Sequence, residues 1–287
     1  MASDRQLSID RTTKGVWVVT FSNPPINLLD PATIDELQRL VGEAEADKSL
    51  KVIVFQSANP DFFIAHFDTR KSAEMSAVPG PTGFTPWIDV VMRLSHGPFV
   101  SIAKIRGRTR GVGTEFVLAC DIRFASRQKA VFGNPEIGVG LPPGGGALEW
   151  LPRVIGRSRA LEFALSGDDF DADVAERYGL VNRTIDDAEL DGFVDALATR
   201  LSSFDRDALG QIKAQISRIG VPTGEEIETS NGLFFSGLSR PDAVARRAKL
   251  QTVGYGERST FELNFGRVVT ALGPDGSELS SAVSTAN

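Results

Sequence analysis

The sequence predicts an α/β protein in which strands and helices alternate through most of the chain. Three observations support this fold class. Runs of β-branched and aromatic residues, such as GVWVVTFSN and KVIVFQS, are typical of buried strands. Stretches with apolar residues at helical spacing, such as DPATIDELQRLVGEAEAD, separate these runs. The two kinds of segment follow one another repeatedly, which is the order typical of an α/β core.

The first elements follow from local signals. A strand is predicted at 15–23, and it ends at NPPIN, where two prolines remove amide donors and favour a turn. The helix predicted at 30–47 has Asp30 as its N-cap and a proline at its first position. A second strand is predicted at 51–57. Prolines and glycines near the end of 58–86 predict a loop over that whole segment.

The middle of the chain repeats the alternation. Helices are predicted at 87–95 and 114–120. Strands are predicted at 99–106 and 121–126, and a final strand with its turn is predicted at 130–139. From Ala147 the pattern is mainly helical, with one further short strand predicted at 180–185.

The chain beyond Glu189 has a different character, because the pattern is wholly helical to about Gly254. We therefore expect a core at 1–204 and a separate helical domain at 205–270. The remaining residues, 271–287, are small and polar, and this composition predicts disorder.

Composition and charge argue against several classes of protein. With 31 Lys and Arg against 37 Asp and Glu, the net charge is -6, so we expect neither a nucleic-acid nor a membrane partner. One cysteine, Cys120, rules out an intramolecular disulfide, and with only two histidines we expect no metal site. No segment reaches the roughly 18 apolar residues of a spanning helix, and no apolar leader is visible. We expect a cytoplasmic protein.

Glycine-rich stretches are the first candidates for a site. GRTRGVGTEF lacks the Lys-Ser/Thr of a P-loop and the G-x-G-x-x-G order of a dinucleotide fold, and PPGGGALEW fails in the same way. Gly111 and Gly113 would instead allow a tight turn at a helix start, where free N–H groups and the helix dipole stabilise an anion. The alternative, a glycine turn needed only for close packing, is the commoner role of an isolated pair.

Two glutamates lie beside these glycines. Glu115 falls in the first turn of the helix, where the dipole alone favours a carboxylate. Glu136 follows a strand and a proline, which is also an ordinary turn position. Together, two carboxylates from different elements beside one helix N-terminus would form a general acid and a general base around one substrate carbon.

The block SIAKIRGRTRGVGTEFVLACDIRFAS, followed by AVFGNPEIGVGLPPGGGALEWLPRVIGRSRALEFALSG, resembles the crotonase (enoyl-CoA hydratase/isomerase) superfamily. The resemblance runs from VTFSNPPINLL to about Asn182, and RPDAVARRAKLQ matches the family's C-terminal region less well. It implies a crotonase-like spiral of ββα repeats with a C-terminal helical trimerisation domain, assembled as a homotrimer or a hexamer. It also implies an acyl-CoA thioester substrate, fatty acid metabolism, and no cofactor beyond the substrate's own coenzyme A.

The resemblance also implies roles for particular residues. The two backbone N–H groups that hold the thioester oxygen, the oxyanion hole, fall on Phe67 and Val112. Glu115 and Glu136 match the two glutamates of the hydratase members. Gly144 and His66 are implied to support the site. Three further residues are implied to bind substrate or coenzyme A, namely Ala65, Asp68 and Gly111.

This chain departs from the family pattern beside both backbone donors. It shows Ala65, His66, Phe67 and Asp68 where the family usually shows Ala-Gly-Ala-Asp, and Val112 where a glycine is usual. His66 and Val112 disfavour a positive φ, and Phe67 adds bulk. The His66 ring either reaches the thioester or, the commoner outcome, turns away to bind a backbone carbonyl or coenzyme A.

Retention of both glutamates favours an enoyl-CoA hydratase, because many members that isomerise, hydrolyse or decarboxylate lack one of them. Two alternatives remain. One is another crotonase reaction, by an isomerase or an acyl-CoA hydrolase, which the altered loop would support. The other is a catalytically silent acyl-CoA binder, in which Phe67 and Val112 close the oxyanion hole. The discriminating observation is whether Glu115 and Glu136 converge on one cavity with those two residues.

Overall fold

The computed structural model describes residues 5–272, and its strands form two sheets. The strands are β1 (Leu7–Asp10), β2 (Val16–Phe21), β3 (Val52–Ser57), β4 (Phe62–Ile64), β5 (Val100–Ile105), β6 (Arg108–Arg110), β7 (Ile122–Ser126), β8 (Val131–Gly133), β9 (Phe170–Asp171) and β10 (Arg183–Ile185). The larger sheet has the order β1-β2-β3-β5-β7-β10, and the smaller has the order β4-β6-β8-β9.

The helices of the first 185 residues surround these sheets. They are α1 (Pro31–Ala46), α2 (Pro86–His96), α3 (Val112–Ala119), α4 (Ala147–Ile155), α5 (Arg157–Ser166) and α6 (Ala172–Tyr178). The later helices are α7 (Leu190–Ser202), α8 (Arg206–Gly220), α9 (Gly224–Gly237), α10 (Pro241–Leu250), α11 (Thr260–Leu263) and α12 (Phe265–Val268). Short 3-10 helices occupy Thr69–Glu74, Pro135–Val139 and Val269–Leu272.

The chain winds as a spiral of ββα units. In each unit the first strand joins the larger sheet and the second joins the smaller sheet, as in β3-β4-α2, β5-β6-α3 and β7-β8-α4. Successive units stack in parallel, both from β2 through β7 and from β4 through β8. The edge strands β1 and β9 are antiparallel to their neighbours. This arrangement confirms the α/β prediction and the ββα spiral that the resemblance implies.

The larger sheet is buried on both faces because alternate side chains of a strand point to opposite sides. On β3, Ile53 and Phe55 join the main core with helices α1 to α4, while Val52 and Val54 pack with α7. Phe116 of α3 meets Phe21 and Phe55 edge-on, with ring centroids 5.2 and 5.0 Å apart. These contacts fix α3 against the sheet.

Local signals in the sequence account for the start of α1. The Asp30 side chain accepts a hydrogen bond from Thr33 N at 2.9 Å, and the Thr33 hydroxyl in turn accepts one from Asp30 N. This reciprocal pair satisfies two amide donors at the helix start. The predicted N-cap at Asp30 is therefore confirmed.

Some predicted elements were wrong or incomplete. Residues 58–86 do not form one loop, because they contain β4 and the first of the 3-10 helices. The helical pattern from Glu189 to Gly254 is confirmed. The division at residue 204 stays a prediction. Of the tail predicted to be disordered, residues 271 and 272 lie in the last 3-10 helix, and 273–287 lie outside the described residues.

Two absences apply to residues 5–272. None of the helices there combines the length and the apolar character needed to cross a membrane. Within the same range, no three His, Cys, Asp or Glu side chains are grouped so that they could hold a metal ion.

Candidate active site

A cavity of about 270 Å³ lies at one edge of the smaller sheet. Phe67 follows β4, Val112 follows β6 and Glu136 follows β8, so all three lie beyond the carboxyl ends of neighbouring parallel strands. That edge is where open α/β sheets place their ligands. The cavity is lined by these three residues together with Glu115 and Gly144. Its other large lining side chains are Leu29, Ile34, Met75, Trp87, Phe234 and Phe235.

The start of α3 leaves backbone donors free. Gly111 is the N-cap with φ 53°, in the left-handed region that favours glycine, and no side chain caps the helix. Val112 is the first helical residue, so its N–H has no partner one turn earlier. Among the described residues, Asn27 is the one non-glycine residue with a positive φ, so Val112 and His66 both have a negative φ. The unusual side chains therefore impose no left-handed strain here.

The segment around Phe67 is held by Leu29, which donates to His66 O at 3.0 Å and accepts from Asp68 N at 2.9 Å. In this parallel pairing Leu29 uses the groups on either side of Phe67, so the N–H of Phe67 points away from Leu29. Within the described residues no acceptor takes a hydrogen bond from that N–H. Phe67 therefore presents a fixed, free donor beside the cavity.

Glu115 is a buried carboxyl, 3% exposed, held by backbone amides. Its Oε1 accepts from Gly145 N at 2.7 Å and from Ala147 N at 3.3 Å. Burial, followed by the nearby negative charge of Glu136, raises the pKa of Glu115 to about 8, although the two amides act in the opposite direction. Near neutral pH this carboxyl therefore holds its proton.

Glu136 faces it from the 3-10 helix that follows β8, and the residue is partly exposed because it opens onto the cavity. Asn134 Nδ2 donates to its Oε2 at 3.3 Å. Burial raises the pKa of Glu136 to about 7, against the lowering effect of hydrogen bonds and of His66. A Cβ at Gly111 would lie 2.5 Å from Glu136 Oε1, so a larger residue there would displace the carboxyl.

Residues of the PPGGG segment form the wall of the cavity beside Glu115. Of these, Gly144 was predicted from the sequence and Gly145 was not. A Cβ at Gly145 would lie 2.1 Å from Glu115 Oε2 and 2.5 Å from Trp87 Nε1. The Trp87 indole donates to Gly145 O at 3.0 Å, and Asn231 Nδ2 donates to Gly144 O at 2.9 Å. The glycine cluster was the available signal for Gly145. Asn231 had none, because it lies on a distant helix.

Several predicted residues do not line this cavity. His66 turns away from it: its Nδ1 lies 3.0 Å from Phe67 O and its Nε2 lies 3.0 Å from Glu262 Oε1. Asp68 caps the 3-10 helix at Arg70 N and pairs with the Arg70 guanidinium at 2.8 Å. Ala65 is fully buried, and its N–H donates to Asn27 O at 3.2 Å. Gly111 acts through the space that it leaves for Glu136.

The chemistry available to this arrangement follows from its charges. Two N–H donors near one wall would stabilise negative charge on an oxygen, and they would act in an apolar cavity where hydrogen bonds to charge are strong. With its pKa raised to about 8, Glu115 is mainly protonated at neutral pH, while Glu136, with a pKa of about 7, exchanges between its two forms. A site of this kind can give a proton to one atom and take a proton from another.

The sequence is similar to known proteins over most of its length. Residues 11–237 match the family model for enoyl-CoA hydratase/isomerase. A short-chain-enoyl-CoA hydratase of Clostridium acetobutylicum is 32% identical over 221 residues, which is 77% of this chain and 82% of the relative. The human mitochondrial methylglutaconyl-CoA hydratase is 31% identical, over 78% of this chain and 66% of its own length.

Solved structures give the same result. One from Streptomyces avermitilis, whose assignment as an enoyl-CoA hydratase is itself provisional, is 42% identical with a TM-score of 0.88, covering 94% of this chain and 98% of that one. An enoyl-CoA hydratase from Mycobacterium avium subsp. paratuberculosis is 25% identical with a TM-score of 0.74, covering 86% and 96%. The family model spans more than half of the chain. The chain therefore belongs to the enoyl-CoA hydratase/isomerase family, the crotonase superfamily of enzymes.

Proposed function

We propose that this protein is an enoyl-CoA hydratase, which adds water to a 2-enoyl-CoA or eliminates it from the 3-hydroxyacyl-CoA. The observation that carries the proposal is the convergence of Glu115 and Glu136 on one apolar cavity that Phe67 and Val112 also line. Relatives with hydratase names add support, since 32% identity extends over most of both chains.

The reaction uses each part of the site. The thioester oxygen accepts hydrogen bonds from the N–H groups of Phe67 and Val112, which stabilise the enolate that forms when water attacks the β-carbon. One carboxylate takes the proton that water loses as its oxygen bonds to carbon, and the other carboxyl gives its proton to the α-carbon. The pair therefore needs one ionised and one protonated member at the start, which its pKa values supply near neutral pH.

The substrate, in this proposal, is an acyl-CoA thioester whose acyl group enters the apolar cavity among Trp87, Phe234 and Phe235. Coenzyme A arrives with the substrate, and no further cofactor takes part in a hydration. Gly144 and Gly145 line the wall of the cavity that carries Glu115. Asp68, Ala65 and Gly111 do not line the cavity, and their predicted contact with substrate or coenzyme A stays a prediction.

We also propose a homotrimer, or a hexamer made of two trimers. On helix α8, the side chains of Ile212, Ile216 and Ile219 are 60, 69 and 88% exposed on one face. An apolar ridge of three exposed isoleucines is typical of a surface that another protein chain covers. The ridge supports assembly through the helical C-terminal region.

The decisive experiment follows loss of the conjugated thioester absorbance when crotonyl-CoA is hydrated. We expect the wild-type protein to turn over, and Glu115→Gln and Glu136→Gln each to lower kcat by about 100-fold or more. Glu228→Gln is the matched control, because Glu228 is exposed on α9 and the same charge is lost. A wild-type protein that is inactive on short, long and aromatic enoyl-CoAs would contradict the hydratase proposal.

The silent binder remains the alternative to exclude by the same assay. It required Phe67 and Val112 to close the oxyanion hole, but both residues border an open cavity, and the Phe67 N–H has no acceptor among the described residues. Tight binding of acyl-CoA without turnover of any enoyl-CoA would favour the binder.

A further inference from the structure

His66 connects the proposed oxyanion loop to the C-terminal segment. Its ring is 6% exposed and stacks on Tyr255, with centroids 4.7 Å apart, while Phe265 meets it edge-on at 5.7 Å. Tyr255, Glu262 and Phe265 all lie beyond residue 237, where the match to the family model ends. Three of the side chains around His66 are therefore supplied by a part of the chain that the family model does not describe.

The acceptors around the His66 ring favour a proton on each ring nitrogen, although the Tyr255 hydroxyl also lies 3.3 Å from Nδ1. Nδ1 faces the Phe67 carbonyl at 3.0 Å, and Nε2 faces both Glu262 oxygens at 3.0 and 3.2 Å. An imidazolium satisfies both acceptors, and a fully buried Glu262 then carries the balancing charge. Gly256 N holds the same Glu262 oxygen at 2.8 Å, which fixes the carboxylate in place. Burial opposes the charged ring, but Glu262 and the hydrogen bonds prevail and raise the pKa of His66.

The His66 ring fixes the peptide that follows the proposed donor. It binds Phe67 O, and the Tyr255 hydroxyl donates to the same oxygen at 3.3 Å. On the opposite side Leu29 holds the peptide groups on either side of Phe67. The Phe67 backbone is thus held by hydrogen bonds on both sides. The direction of its N–H therefore depends on His66 as well as on the pairing with Leu29.

The same ring lies close to Glu136. A small second cavity of about 40 Å³, large enough for a water molecule, is bordered by His66, Glu136 and Tyr255. The charge on His66 lowers the pKa of Glu136, since a cation favours the carboxylate. The ionisable groups that face His66 from the elements packed around it are Glu262, Tyr255, Glu136, Arg110 and Arg247.

We propose that His66, held by Glu262 as a buried cation, is a positioning residue that aims the Phe67 N–H at the thioester oxygen and keeps Glu136 ionised during turnover. This proposal rests on the hydratase function proposed above. It makes the segment 255–265 part of the active site, although none of its residues lines the substrate cavity. His66 and Glu262 would then be needed as a pair, since each alone would leave an unpaired buried group.

The test compares Glu262→Gln with Arg258→Ala. Glutamine keeps the shape of Glu262 but removes the charge that holds the imidazolium. Arg258→Ala is the matched control: it removes an exposed ion pair between the same segment and Asp61, without contact to His66. We expect Glu262→Gln to lower kcat for crotonyl-CoA about 10-fold while KM changes less than about 3-fold. Arg258→Ala should leave both constants unchanged.

The pH profile separates positioning from a structural role. Loss of the His66 cation raises the pKa of Glu136, so the acidic limb of kcat/KM should move to higher pH in Glu262→Gln. A folded Glu262→Gln with the wild-type kcat and an unmoved acidic limb would overturn the proposal.

A second measurement leaves both His66 and Glu262 unchanged. The chain has only two histidines, so nitrogen NMR of the imidazoles, with His96→Asn to assign the signals, reports His66 directly in the wild-type protein. We expect both His66 nitrogens to be protonated near pH 7. A neutral His66 ring between about pH 5 and 8 would overturn the proposal even if Glu262→Gln does not fold. If the wild-type protein shows no hydration, the proposed function fails, while the NMR result still decides whether His66 is the buried cation.

Discussion

Glu115→Gln should stabilise the protein in alkaline solution. Folding transfers this carboxyl from water, where its pKa is 4.5, to a site where its pKa is about 8. The folded state therefore binds the proton more tightly than the unfolded state, and wild-type stability falls as pH rises from about 4.5 through about 8. Glutamine does not ionise, and its Oε1 can still accept from Gly145 N and Ala147 N.

The magnitude follows from the two pKa values. The difference between 4.5 and about 8, at roughly 1.4 kcal/mol per pKa unit, gives about 5 kcal/mol for full ionisation of Glu115. At pH 6 this carboxyl is already ionised in the unfolded state. About 3 kcal/mol of the loss in folding stability therefore occurs between about pH 6 and pH 9. Glu115 is 3% exposed, so solvent screens little of the effect.

The assay is urea unfolding, followed by tryptophan fluorescence at one fixed protein concentration, for wild type, Glu115→Gln and the exposed control Glu228→Gln. The free energy of unfolding of Glu115→Gln, minus that of wild type, should grow by about 3 kcal/mol from pH 6 to pH 9. The control should show no such growth. A difference for Glu115→Gln that is the same at both pH values would refute the assignment of a buried carboxyl with a raised pKa.

Three further outcomes are expected. Gly145→Ala should lower kcat at least about 10-fold, since its Cβ would lie 2.1 Å from Glu115 Oε2, whereas Gly192→Ala, with open space around it, should keep full activity in the same assay. Phe234→Ala should raise kcat/KM for long-chain relative to short-chain enoyl-CoA by about 10-fold, because it removes a wall of the cavity; an unchanged ratio would place the acyl chain elsewhere. Ile216→Glu should reduce the molar mass measured by light scattering, while its exposed neighbour variant Gln215→Glu should not; an intact assembly would remove the α8 ridge from the interface.

The parts of the fold that sequence predicted are those with strong local signals. The long strands β2 and β3 begin with continuous apolar runs, β5 is rich in apolar residues, and α1 has its capping box. The strands β4, β6 and β8 have only three residues each, too few for a period to appear.

The arginines beside β6 show the limit of local reasoning. In the sequence Arg106, Arg108 and Arg110 alternate, a pattern typical of a solvated face or of contacts to phosphate groups. Arg110 is instead fully buried and binds Asp169 through two hydrogen bonds of 2.7 Å, 59 residues away. Arg106 pairs with Asp187 and Asp191, and Arg108 donates to Leu263 O. Pairing between distant segments gives no signal in a single sequence.

The candidate site divides in the same way. Glu115 and Glu136 were named from the residues themselves, the resemblance to the family added Phe67, Val112 and Gly144, and the structure brings these five to one cavity. The partners of His66 were not predictable, because Glu262 lies 196 residues away and Tyr255 lies 189 residues away. The commoner outcome for His66, a ring turned toward a backbone carbonyl, is the observed one.

The spiral has a consequence for how the protein becomes active. Phe67, Val112 and Glu136 each follow a different strand of the smaller sheet, and those three-residue strands have little stability until they are stacked on one another. The cavity therefore has no local precursor: it comes into being only when three turns of the chain, far apart in sequence, have docked. During refolding, helical circular dichroism should recover first and acyl-CoA binding should recover last.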